Sequence, residues 1–73
     1  MNDVQLEKYN LVHDHLLPLL IYATDGEVKF AKYVACGSDE RVEIKFRNDY
    51  IKSVNVACDS QLALCRDVLR ALG

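Results

Sequence analysis

The residues best equipped for chemistry in this chain are the triplet His13-Asp14-His15, the cysteines Cys36, Cys58 and Cys65, and a set of cations in its second half. A metal site built on the triplet needs both imidazoles on one side. Residues two apart on a helix point about 200° apart, so these two cannot share an ion. His13 falls beside Tyr9 and Leu17 on the expected buried side of its helix and His15 on the exposed side. There is no Cys-x-x-C pair, and a mixed His/Cys zinc site would draw on four distant segments. Strand parity and helical phase place all three cysteines toward the interior, where a free thiol acts as a small hydrophobe. Phosphate-binding loops, nucleophile elbows, H-E-x-x-H and calcium-loop spacings are absent. No catalytic residue, metal ligand or cofactor is assigned, and the chain is not expected to be an enzyme.

The cations make a stronger case. Lys29, Arg41, Lys45, Arg47 and Lys52, with Tyr33 nearby, fall on what the alternation predicts to be the outer face of a sheet. Basic side chains with an interleaved aromatic suit single-stranded nucleic acid. Glu27, Asp39, Glu40, Glu43 and Asp49 occupy the same region, however, and mixed charges of both signs are the ordinary dress of a solvated sheet. Val4 and Leu11 on the flank of the first helix, and Tyr33 with Ala31 and Ala35 on the strand's far side, are apolar groups that the core is not expected to cover. Such patches mark partner surfaces more often than catalytic ones.

The elements that must carry these residues follow from periodicity. Asn2 and Gln5 form a capping-box start, with Asp3 and Glu7 in the first turns where the helix dipole favours negative charge. Leu6, Tyr9, Val12, His13, Leu16 and Leu17 gather on one side, and Pro18 is expected to stop the helix near Leu17. Leu19 to Thr24 then reads as a strand, closed by Asp25-Gly26 as a type I′ hairpin turn leading into a second strand that ends at Cys36. In that register Ile21 faces Phe30, and Phe30, Val34 and Cys36 share the core side. Lys32 breaks this parity, so a bulge there or a snorkelling side chain is expected.

Gly37 to Glu40 is turn chemistry, and Arg41 to Arg47 alternates cleanly, with Val42, Ile44 and Phe46 inward. A three-residue loop over 47–49 would set Val42 opposite Val54 and Phe46 opposite Tyr50 in a last strand running to Cys58. Asp59 or Ser60 then caps a helix whose apolar arc is Leu62, Cys65, Val68, Leu69 and Leu72, with Leu64 at the margin. The expected fold is α+β in the order α-β-β-β-β-α, an antiparallel sheet of three to four strands with an N-terminal and a C-terminal helix packed on one face.

Composition sets the frame for this reading. With 73 residues, 51% hydrophobic and a net charge of −2, the chain reads as one domain over 1–73, neither disordered nor strongly basic. An odd number of cysteines and no secretory pattern suggest a cytoplasmic setting, and the longest apolar stretch, Leu16 to Ala23 with Pro18 inside it, is too short to span a membrane. A domain this small leaves apolar area for a partner to cover. The function expected is therefore a protein-interaction or regulatory module using the open sheet face or the first-helix flank, with a protein partner or with itself as a homodimer. A nucleic-acid-binding accessory factor using the basic strand face is the alternative.

Overall fold

In the computed structural model, which describes residues 1–73, the chain starts as its first residues dictate. The Asn2 side chain accepts from the Gln5 N–H at 2.8 Å and the Gln5 side chain accepts from the Asn2 N–H at 3.1 Å, closing the capping box that opens α1 (Asp3–Leu11). The helix does not stop at Pro18. It passes through a π-helical turn, Val12–Leu16, and continues as α2 (Leu17–Ala23), so the strand expected over Leu19 to Thr24 is helix instead. The wider turn explains why proline is tolerated. The Leu17 N–H reaches back five residues to the Val12 carbonyl, and the register has already slipped where Pro18 brings a ring and no N–H.

Asp25 and Gly26 do adopt the two positive φ angles that a type I′ turn would need, 52° and 79°, but they close a helix rather than a hairpin. The Gly26 N–H bonds the Ile21 carbonyl at 2.8 Å and the Asp25 N–H bonds the Tyr22 carbonyl at 3.3 Å, the paired bonds of a Schellman motif. Left-handed dihedrals serve both motifs equally. What differs is the state of the residues before them.

The sheet accordingly has three strands, β1 (Val28–Cys36), β2 (Asp39–Phe46) and β3 (Ile51–Asn55), in the order β1-β2-β3 with both pairings antiparallel. Its register in β1 slips once. Val28 pairs with Phe46 but Phe30 pairs with Lys45, so Lys29 is an extra residue, and the bulge sits there rather than at Lys32. The slip exchanges the faces of the rest of the strand. Ala31 and Tyr33 turn into the core, Phe30 and Lys32 turn out, and Cys36 is exposed at the hairpin end.

The second hairpin forms as its alternation requires. Val42 lies opposite Val54, and the Phe46 N–H bonds the Tyr50 carbonyl at 2.9 Å across a loop in which Asp49 takes φ 68°. The last strand ends at Asn55 and not at Cys58, because the Asn55 side chain accepts from the Ala57 N–H at 2.9 Å and turns the chain out of the sheet. Ser60, not Asp59, then caps α3 (Gln61–Leu72), accepting from the Ala63 N–H at 3.1 Å.

The core is 11 buried apolar side chains, with Val12, Leu16 and Leu20 from the first helix and Leu64 and Val68 from α3 packed on Ala31, Tyr33, Val42 and Ile44. No helix is long and apolar enough to cross a membrane. Both wheels are rotated from expectation. On the first helix the buried line runs Lys8, Val12, Leu16, Leu20, in steps of four that the π turn helps to keep on one side, while Leu6, Tyr9 and His13 are exposed. On α3 Leu64 is 0% exposed and Leu62 is 83% exposed, the reverse of the expected arc.

Candidate interaction face

The most polar feature inside the molecule is a lysine. Lys8 is only 3% exposed, and its Nζ donates to Glu40 Oε1 at 2.8 Å, while the Tyr33 hydroxyl donates to the same oxygen. The hydrogen bond from Lys8, then that from Tyr33, holds the Glu40 carboxyl below its usual range, and burial together with Glu40 pushes the Tyr33 phenol well above its own. This cluster ties α1 to the β1–β2 hairpin. It also removes Tyr33 from the outer face, where the alternation had placed it: the bulge at Lys29 turns the ring inward.

A second buried contact is less well satisfied. Asp59 Oδ2 is buried with no hydrogen-bond donor, and the carboxyl sits against Asp67. Of the two carboxyls Asp59 has the raised pKa, first through its hydrogen bond to Asp67 and then through burial, while Asp67 is lowered by the same bond and by Arg66. A raised carboxyl contributes stability below its ordinary pKa and loses it as pH rises through the folded-state value. Asp59→Asn, which keeps a donor toward Asp67 at every pH, is therefore expected to raise the melting temperature at pH 7 by a few degrees and to change it little in acid; thermal unfolding followed by circular dichroism at both pH values tests this.

The other face of the sheet carries no helix. Three rows cross it: Phe30, Lys45 and Ile51; then Lys32, Glu43 and Ser53; then Val34, Arg41 and Asn55. Phe30 and Ile51, 44% and 57% exposed, flank Lys45 around a shallow depression of about 170 Å³ that Lys32 and Glu43 complete. Of the cations expected there, Arg41 and Lys45 lie on this face, joined by Lys32, which periodicity had set apart as a misfit. Lys29 stands at the bulge on its rim. Arg47 is drawn away, 3.6 Å from Glu27 and donating to the Asp25 carbonyl at 3.2 Å.

Lys52 is on the opposite side. It pairs with buried Ile44, and its Nζ donates to the Ala71 carbonyl at 2.7 Å, satisfying an end of α3. Phe30 is the residue that alternation missed, since only the slip at Lys29 brings it out.

Every cation of this face has a carboxylate beside it. Arg41 reaches Glu43 and Asp39 at 3.1 Å each, Lys32 lies 3.9 Å from Glu43, Lys45 lies 3.7 Å from Asp49, and Lys29 lies 3.9 Å from Asp49. The result is a nearly balanced field around an apolar pair.

The remaining candidates are scattered. Val4 is exposed on the first helix, but Leu11 is half-buried against the core and does not form a patch with it. His13 and His15 are both exposed, His13 stacked on Tyr9 with ring centroids 6.1 Å apart and bonded to Asp14 at 2.9 Å. The thiols are free. Cys36 and Cys58 are exposed, contrary to their expected core positions, because the bulge and the Asn55 turn move them out of core parity; Cys65 alone is half-buried against the core. No three His, Cys, Asp or Glu side chains are grouped so that they could hold a metal ion. Compared with family models, with curated proteins and with solved structures, the chain matches none.

Proposed function

We infer that the protein is an interaction module that binds a protein partner through the open face of its sheet. The observation that carries this reading is the exposed pair Phe30 and Ile51, set across Lys45 on a face that no element of the chain covers. Large apolar side chains rimmed by polar ones are the usual make-up of a protein-binding patch. The depression between them is small beside the roughly 300–1,000 Å³ of pockets that enclose small ligands, which favours a surface partner over a substrate. The pairing of each cation with a carboxylate favours protein over nucleic acid, because phosphate binding draws on unneutralised charge.

Strand addition at the β1 edge is disfavoured by Lys32 and by the bulge at Lys29. A photo-crosslinking residue placed at position 30 or 51 in the native host is expected to give discrete protein adducts that are lost when Lys45 is also changed to Glu. Adducts from position 62 alone, or none from 30 and 51, would reject this reading.

A further inference from the structure

We propose that the open face pairs with the same face of a second copy, about a two-fold axis running across the strands between the Lys45 row and the Glu43 row. The proposal rests on the interaction reading above and names its partner. The argument is charge complementarity under symmetry. A two-fold along the strands would set Lys45 on Lys45 and Glu43 on Glu43, and one across the strands through the Glu43 row would set Lys45 against Arg41.

The axis between the two rows sets Lys45 over Glu43 of the second copy and Glu43 over its Lys45, two unlike pairs from one contact. Phe30 then lies along the aliphatic stem of Lys32 and Ile51 against Ser53. Arg41 overhangs the turn that carries Asp49, while Arg47 is held away by Glu27 and the Asp25 carbonyl.

The groups are placed to make the exchange. Lys45 is held only loosely, 3.7 Å from Asp49, and Glu43 Oε1 has only Lys32 at 3.9 Å, while Oε2 is taken by Arg41. The depression is lined by these two rows, so the axis passes through it. A three-stranded face is a small interface, at the low end of about 1,200 Å² or less, so the dimer is a weak, micromolar one.

The test is sedimentation equilibrium on wild type, Lys45→Glu, Glu43→Lys and an equimolar mixture of the two variants. Lys45→Glu sets like charges against Glu43, and Glu43→Lys sets like charges against Lys45, so each variant alone is expected to associate at least about tenfold more weakly than wild type. The mixture restores both unlike pairs and is expected to recover dimer, which also shows that both variants are folded. A wild type that stays monomeric to about millimolar concentration, single variants that dimerise as well as wild type, or a mixture that does not recover would each overturn the proposal. If wild type stays monomeric while position 30 cross-links a different protein, self-pairing falls and the interaction reading stands; no adduct of any kind removes both.

Discussion

Glu40→Ala is expected to destabilise the protein by about 3–5 kcal/mol, the cost of leaving the buried Lys8 ammonium without its counter-ion. Chains of this length have a total stability of roughly 4–11 kcal/mol, so the variant would lose a large part of it. Urea unfolding at pH 7, read by circular dichroism, measures the difference. Removing all three polar ends together, in Lys8→Met/Tyr33→Phe/Glu40→Leu, is expected to recover most of the loss, because well-packed apolar groups replace a buried pair at little net cost. A triple variant as unstable as Glu40→Ala would mean that shape, not charge, governs the site.

The same cluster sets an acid limb. Glu40 has a lowered pKa in the folded state, so its contribution is complete above the ordinary glutamate value and is lost as pH falls toward the folded-state value. At high pH the sign reverses for Tyr33. Its pKa is raised, so its contribution is complete below about 10 and is lost above that. Stability should therefore be level through neutral pH and fall at both ends, with the acid fall reduced in Glu40→Ala.

The second large effect lies on α3. Leu64→Ala is expected to cost about 2–5 kcal/mol and Leu62→Ala less than about 0.5 kcal/mol, because Leu64 is fully buried and Leu62 almost fully exposed. Chemical denaturation of the two variants separates them directly. Equal costs would mean that the helix is rotated toward its amphipathic stripe. Of the arc that periodicity selects, Leu62, Cys65, Val68, Leu69 and Leu72, Val68 is buried and Cys65 and Leu72 pack against the core, but Leu62 and Leu69 are exposed and Leu64, set at the margin, is fully buried. A helix with apolar residues over a wide arc has several faces to offer, and the shape of the opposing sheet selects among them.

Local chemistry was legible wherever it involved neighbours in the chain. Asn2 and Gln5 cap the first helix because both acceptors lie within one turn of their donors. Val42, Ile44 and Phe46 turn toward the core because a pleat has a period of two, and the loop over 47–49 keeps Val42 opposite Val54 because any other length would mismatch the apolar faces. Ser60 starts α3 for the same kind of reason.

What failed did so where a local preference was nearly balanced. Leu19 to Thr24 can be strand or helix, and Asp25-Gly26 serves either a hairpin or a Schellman close; the Val12–Leu16 turn decides by carrying the helix past Pro18.

The sequence by itself determined the α+β class, the two outer helices, the β2–β3 register and the mixed-charge outer row of β2, since each depends on contacts a few residues apart. Tertiary structure alone decided the slip at Lys29 that exchanges Tyr33 for Phe30 and the burial of Lys8. Each of these depends on groups far apart in the chain. A lysine reads as solvent-exposed until Glu40, 32 residues away, is brought to its ammonium, and a strand's face is undefined until its neighbour fixes where the register slips. For that reason the candidate surface centres on Phe30 and Ile51, which become a pair only when β2 is laid between them.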